Sequence, residues 1–367
     1  MMDYEQTELL FALTKVPNVG PVMAKNLISY CGSIEQVFNA SKKELSKIPG
    51  VGQIFAASFN PKKVLEDAKK ELKQLHQHDI QFLTYMDKAY PRRLLHIDDA
   101  PVLLFYKGNM NLNHPRTVAI VGTRTPTVYG TTVCEKIIEE LSAYNIHIIS
   151  GLAFGIDGVA HRKSLELNIP TLGILGNGLP KIYPGEHTSL AGKMLQNGGL
   201  MSEFSYNTKP ARENFPMRNR IIAGISDVVI VIQSKSKGGS IITAEMGNMY
   251  NKDVFAVPGR TTDEFSEGCN ALIKQNKAHL AESAKDIAYI MRWDEIDSSK
   301  HLQKQLFVEL DDQEMIALGI IRDNHPIAID LLSYKLQLNP SEIASLLLSL
   351  EFKGLIKSLP GKKYILT

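Results

Sequence analysis

Thr117-Val118-Ala119-Ile120-Val121-Gly122-Thr123-Arg124-Thr125-Pro126 decides the fold. The run from Thr117 to Val121 is continuously apolar and β-branched. A strand buried on both faces of a parallel sheet reads this way, because neither side alternates with polar residues. Gly122 supplies a tight turn, and a helical pattern then runs to about Tyr144. Strand, glycine turn and helix start together form a corner whose free N–H groups attract an anion. Arg124 adds a planar, permanently charged fork suited to phosphate. Gly122, Thr123 and Arg124 are therefore candidate binding residues. The turn lacks the glycines of G-x-G-x-x-G and is not G-x-x-x-x-G-K-[ST]. Neither a dinucleotide pyrophosphate nor P-loop hydrolysis is expected, and no cofactor. Alone, such a turn reads equally well as a plain βα connection with Arg124 in a surface ion pair.

The pattern repeats outward from that unit. A strand over Ile146 to Ile149 leads into Ser150-Gly151-Leu152-Ala153-Phe154-Gly155 and a helix carrying Asp157 and His161 four apart, on one face. That pair is either an acid/base couple or, the favoured reading, an acid satisfying helix N–H groups with a histidine packed behind it. Thr171 to Leu175 runs into Gly176-Asn177-Gly178, and Asp227 to Ile232 into Gln233-Ser234-Lys235-Ser236-Lys237-Gly238-Gly239-Ser240. Val254 to Val257 meets Pro258-Gly259-Arg260. Strands alternating with helices predict an α/β fold: an extended Rossmann-like domain with a mostly parallel sheet, its glycine loops gathered on the carboxyl rim. Lys235, Lys237, Gly239 and Ser240 read as a second phosphate cradle before a helix.

Asn214-Phe215-Pro216-Met217-Arg218-Asn219-Arg220 is the most informative stretch for function. Pro216 suits a first helical turn. Arg218, Asn219 and Arg220 then stand near a positive helix end, with Asn214 before them. Phe215 offers a ring on which a base can stack, a contact worth roughly 1–3 kcal/mol. The competing reading is a buried phenylalanine with arginines bracing loops, Arg220 against an acid. From 203 to 260 there are eight Lys/Arg and five Asp/Glu. Several anion sites on one rim suit a strand of nucleic acid better than one nucleotide.

Two smaller regions flank this one. Residues 1–75 are helical and echo themselves: Val16-Pro17-Asn18-Val19-Gly20-Pro21 and Ile48-Pro49-Gly50-Val51-Gly52-Gln53 each place a Pro and a Gly turn before a helix (Met23 to Tyr30; Ile54 to Phe59). This is a helix-hairpin-helix pattern, a candidate for backbone contact with DNA, the second copy the better one, with Lys15, Lys25, Lys42, Lys43 and Lys47 nearby. The bland alternative is packing alone. The Rossmann-like region spans 80–290. A polar linker, Asp294 to Lys300, precedes residues 301–367, where helices over 311–323, 326–337 and 340–353 and a hairpin around Pro360-Gly361 predict a winged helix. Its third helix carries Glu342, Ser345, Leu348 and Ser349 rather than Arg, Asn or Gln, so a protein contact fits it better than reading of duplex sequence.

Across 367 residues, 41 Lys/Arg meet 39 Asp/Glu, a net charge of +2. Any nucleic-acid surface is thus a local patch. Cys31, Cys134 and Cys269 are scattered and odd in number, which argues against a disulfide framework or zinc site. No signal-like or membrane-spanning run stands out, and a soluble cytoplasmic protein is expected, with no membrane partner.

Six motifs in order resemble the DprA/Smf family, the DNA-processing proteins of bacterial transformation: VAIVGTRTPTVYG, SGLAFGIDGVAH, GNGLPKIYP, NFPMRNRIIAG, SKGGSIITA and VFAVPGR with SEGCNALI. The resemblance spans about 115 to 280. It implies an extended Rossmann fold that binds single-stranded DNA, forms a homodimer and loads RecA recombinase. By the same resemblance the DNA contacts fall on Arg124, Phe215, Arg218, Arg220 and Lys237 or Lys235; Gly151, in the glycine loop after the second strand, is a further candidate for DNA binding. The chain departs from the family pattern at Gly238-Gly239-Ser240, where Ser-Gly-Ser is usual, and at Gly178-Leu179-Pro180, where an acid is missing.

An enzyme reading competes. Rossmann-like nucleotide phosphoribohydrolases carry P-G-G-x-G-T-x-x-E, and Lys237 to Glu245 aligns its two glycines and Glu245 with that signature. Ile241 and Ile242 replace its third glycine and threonine, which would crowd a phosphate.

Overall fold

The computed structural model describes residues 4–51, 55, 59–293, 310–324, 326–359 and 362–366. The chain divides near residue 295 into two compact units. The linker expected over Asp294 to Lys300 and the turn at Pro360-Gly361 lie outside the described residues, as does most of the helix expected from Ile54 to Phe59.

The first unit opens with α1 (Tyr4–Leu13), α2 (Pro21–Cys31), α3 (Ile34–Asn39), α4 (Lys42–Leu45) and α5 (Pro61–Gln77). Pro21 starts α2, and Gly32, at φ 90°, ends it by donating its N–H to Ile28 O. Leu10, Phe11, Leu13, Leu72 and Leu75 share one apolar core with Leu103, Phe105 and Leu200 of the sheet. Lys15 is drawn into that junction. Its ammonium meets Glu71 at 2.5 Å and Ser205 Oγ at 2.6 Å, and burial lowers its pKa. Lys25 bonds Asp98 O at 3.3 Å. Both lysines thus brace the fold rather than stand free for phosphate.

The sheet follows, built from β1 (Gln81–Thr84), β2 (Leu103–Gly108), β3 (Thr117–Val121), β4 (His147–Ser150), β5 (Thr171–Ile174), β6 (Gly198–Ser202), β7 (Val228–Val231), β8 (Asp253–Ala256) and β9 (His279–Leu280). Its order is β1-β2-β6-β5-β4-β3-β7-β8-β9. From β6 to β9 the neighbours are parallel; β1 and β2 run antiparallel at one edge. Between the strands run α6 (Val128–Leu141), α7 (Ile156–Glu166), α8 (Thr188–Met194), α9 (Asn214–Ile225), α10 (Gly239–Met249), α11 (Glu267–Lys274) and α12 (Ala284–Met291).

Alternate residues of each strand face opposite sides. Ala119, Val121, Val229 and Val231 pack under α9, α10 and α11 through Ile221, Ile222, Ala244 and Leu272. Val118, Ile120, Val228 and Ile230 pack under α6, α7 and α12 through Ile137, Ile138, Val159 and Ile287. The sheet is covered on both faces, which is why its central strands carry no polar alternation.

The second unit holds α13 (Asp312–Asp323), β10 (Ile327–Ala328), α14 (Ile329–Leu336), α15 (Pro340–Phe352), β11 (Ile356–Leu359) and β12 (Lys363–Leu366). The three strands pair antiparallel in the order β10-β12-β11, a winged helix around Ile321, Leu332, Ile343 and Leu350. Asn339 and Glu342 form a capping box at the start of α15, whose Glu342, Ser345 and Leu348 are exposed.

Two histidines make the first unit acid-sensitive. His161 is fully buried, with Nδ1 2.7 Å from Thr171 Oγ1, and burial pushes its pKa down to about 3. His147 stacks on His114 at 3.8 Å between ring centres, and burial, then that neighbour, lower its pKa to about 4. Both values lie below the ordinary 6.5, so below pH 6.5 the unfolded chain binds more protons than the folded one. Stability from these groups is full above pH 6.5 and is lost as pH falls toward 4 and then 3. Urea unfolding midpoints measured from pH 7 to 4.5 are expected to fall, and less steeply in His161→Gln, which keeps a partner for Thr171 but takes up no proton.

Candidate nucleic-acid interface

In the strand order β3 lies between β4 and β7, so the connections leaving β3 and β7 open in opposite directions. A crevice forms above the carboxyl ends at such a switch point. A cleft of about 480 Å³ lies there, walled by Gly122 to Arg124, by Phe215 to Asn219 of α9, and by Ser234 to Thr243. Thr123 N–H donates to Gln233 O at 2.7 Å and joins the two turns. A Cβ on Gly122 would stand 2.5 Å from Ile156 Cγ1, so only glycine lets α7 approach β3 this closely.

The corner at β3 differs from its expected form. The helix begins at Val128, and the Thr127 hydroxyl caps it by accepting from Gly130 N–H at 3.2 Å. Gln233 Oε1 in turn accepts from Thr127 N–H at 3.0 Å. Those donors are satisfied within the fold, so Arg124, rather than the helix start, is what this corner presents. No side chain caps α9 or α10, whose first turns line the cleft. Their N–H groups carry the partial positive charge of a helix end.

The cations sort into two kinds. Arg124 and Lys237 are exposed and form no ion pair with another described residue. Arg124 lies 5.2 Å from the centre of the Phe215 ring. The other two cations lining the cleft, Lys235 and Arg218, are engaged. Lys235 meets Glu264 at 2.6 Å and covers Phe265. Arg218 is 4% exposed and donates to Gly151 O and Ile174 O, while its Nε bonds Asn219 Oδ1 at 3.1 Å. Burial lowers its pKa to about 10, which leaves it charged at neutral pH. Asp157 stands beside it; burial raises that carboxyl, against the pull of Arg218 and the Ala153 N–H. Asp157 lines the cleft, whereas His161 does not.

The remaining expected residues fall as follows. Asn214 is buried at the start of α9, and Asn219 Nδ2 reaches Gly239 O at 3.4 Å. Ser240 Oγ donates to Ser234 Oγ at 2.8 Å and closes the cradle loop from within, leaving Gly239 exposed. Gly151 makes room for Arg218, since a Cβ there would lie 2.4 Å from Nη1. Arg220 takes the competing arrangement, against acids. It points from the opposite side of α9, pairs with Glu203 and Asp99, and stands outside the cleft. Residues two apart on a helix diverge by about 200°, so Arg218 and Arg220 do not share a face. Gln233, Phe154 and Tyr183 were not singled out in the sequence. The signal for the two rings was an aromatic inside a glycine loop at the carboxyl rim. Glu245 lies outside the cleft, 3.5 Å from Lys277. Among the described residues no group of three His, Cys, Asp or Glu is placed to hold a metal, and no helix is long and apolar enough to cross a membrane.

Uncapped helix starts and unpaired cations above the switch point of a doubly wound sheet mark the chain as a Rossmann-like protein. The family model described as DNA recombination-mediator protein A matches residues 81–292, that of the SAM-like helix-hairpin-helix tandem residues 11–57, and that of the DprA winged helix domain residues 308–362. The chain belongs to the DprA/Smf family of DNA-processing proteins. It is 36% identical over 277 residues to Protein Smf of Synechocystis sp., covering 74% of this chain and 69% of that one. The X-ray structure of DNA processing protein A from Streptococcus pneumoniae superposes with a TM-score of 0.65 at 30% identity, over 80% of this chain and 99% of that one. DNA processing protein A from Helicobacter pylori, described for its single-stranded DNA binding mode, gives 0.53 at 28% identity, over 59% and 97%.

Gly151→Ala tests the brace. The added methyl displaces the Arg218 guanidinium, and urea denaturation is expected to show a loss of about 1–3 kcal/mol, the usual penalty for overpacking. An unchanged midpoint would mean that Arg218 does not hold this lip together.

Proposed function

We propose that the cleft between β3 and β7 binds single-stranded DNA without catalysing a reaction. Phosphates rest on the open N–H groups at the start of α10, assisted by Arg124 and Lys237, while a base stacks on Phe215. The observation that carries this is the pair of exposed, unpaired cations, Arg124 and Lys237, on the walls of a cleft that the half-buried Phe215 ring also lines. A cleft of phosphate donors and one ring grips unpaired strands with little sequence preference, because every base offers a π-face. The relative described for its single-stranded DNA binding mode supports the same ligand. In this reading the protein works in the cytoplasm as a homodimer during natural transformation, protecting incoming strands and loading RecA recombinase onto them. Family membership supports that setting.

The phosphoribohydrolase alternative needs Glu245 at the sugar. Its place outside the cleft against Lys277 favours binding over hydrolysis. The exposed face of α15 carries no Arg, Asn or Gln among its residues, so the winged helix is assigned a protein contact rather than duplex reading.

Salt-titrated binding of an oligo-dT strand tests the reading. Each phosphate contact on a single strand contributes roughly 0.7 to the slope of log affinity against log salt. Arg124→Ala/Lys237→Ala is expected to weaken binding to unrelated strands alike and to flatten that slope by about 1.4. Wild-type affinity and slope in the double variant would reject the site.

A further inference from the structure

Three aromatic rings stand together at the end of the cleft nearest β4 and β5. Phe154 belongs to the loop after β4, Tyr183 to the loop after β5, and Phe215 to the first turn of α9. Phe154 and Tyr183 are each 44% exposed. The centres of the Tyr183 and Phe215 rings lie 5.9 Å apart, with their planes tilted by 33°. All three line a notch shared with Arg124 and Arg218, and both arginines also line the phosphate cleft, so the two sites are continuous.

The backbone is built to hold these rings outward. Leu152 adopts φ 56°, a left-handed conformation costly for a branched side chain, and is fully buried. Gly155 follows at φ 76°, where a Cβ would meet Thr123 O at 2.2 Å. Between these two fixed points Phe154 turns into solvent, steadied by an edge contact with His187 at 5.5 Å between ring centres. Gly176 seats Phe215: a Cβ there would already touch the ring at 3.1 Å. The notch itself measures about 20 Å³, room for one water. A base therefore cannot enter it and must lie across the outer faces of the rings.

We infer that Phe154 and Tyr183 form a second base-stacking ledge, continuing the path of the strand whose phosphates occupy the cleft. The inference rests on the single-strand reading above and extends it. The occupant is a nucleobase of that same strand, because among the described residues the charges lining the notch are those of Arg124 and Arg218, which favour the neighbouring phosphates. With two ledges side by side at one end of the cradle, the site spans several nucleotides rather than one.

The experiment compares oligo-dT with an abasic sugar-phosphate oligomer of equal length, on wild type, Phe154→Ala, Tyr183→Ala and Tyr183→Phe, with thermal melts to check folding. Phe154→Ala and Tyr183→Ala are expected to bind oligo-dT about tenfold more weakly, in the range of one base–aromatic stack, with an unchanged salt slope. They are expected to bind the abasic oligomer as wild type does, and Tyr183→Phe to retain full affinity. In F154W, oligo-dT is expected to quench emission, and the abasic oligomer is not. If wild type binds oligo-dT with steep salt dependence and both alanine variants match it, the ledge is wrong and the cleft reading stands. If the variants lose both oligomers equally, the rings only shape their loops and the ledge is wrong. If wild type binds neither oligomer, the cleft reading itself fails, and the ledge with it.

Discussion

A single buried guanidinium holds the functional lip in shape. Arg218 reaches from α9 to Gly151 O at the end of β4 and Ile174 O at the end of β5, with Asp157 of α7 beside it. Carbonyls at the carboxyl ends of parallel strands have no ladder partner beyond the last pair, and a buried one without a donor is costly. One residue with several donors in a fixed fork satisfies two of them and ties α9 to the sheet. Phe215 and the open first turn of α9 take their position from that tie. Gly151 is part of the same device, because any side chain there would meet the guanidinium.

This arrangement separates bracing charges from free ones. Arg218 faces Asp157, Arg220 faces Glu203 and Asp99, and Lys235 faces Glu264. A charge already paired gains less from a phosphate, since it must exchange one partner for another. Arg124 and Lys237 need no such exchange, and both are exposed. The modest net charge of the chain is thus compatible with two unpaired cations standing together in the cleft.

Much of this was legible in the sequence, and the exceptions have physical causes. The β3, β4, β5, β7 and β8 segments announced themselves because a strand buried on both faces is uniformly apolar. The mixed edge did not: β6 is Gly-Gly-Leu-Met-Ser, β2 reads as a strand only once paired antiparallel with β6, where Gly108 packs closely on Gly198, and β1 only once paired with β2. Arg124, Phe215 and Lys237 could be found because loops after strands gather on one rim. Proximity in sequence left open whether Arg220 shares the face of Arg218 or pairs with an acid, because only the helix decides how their faces diverge. The capped start of α6 depended on Gln233, more than a hundred residues away, and no local pattern reveals such a partner. The helix-hairpin-helix lysines show the same limit: Lys15 turns inward to Glu71, a contact set by α5 packing against α1.

The central claim is that an unpaired polynucleotide is gripped between the β3 and β7 turns. Amide hydrogen–deuterium exchange of the full chain, with and without oligo-dT, tests it most directly. Slowed exchange is expected, concentrated in residues 122–125, 151–155, 214–219 and 235–240. Protection confined to the helical residues before 60 or to the winged helix, with the cleft segments unchanged, would contradict it.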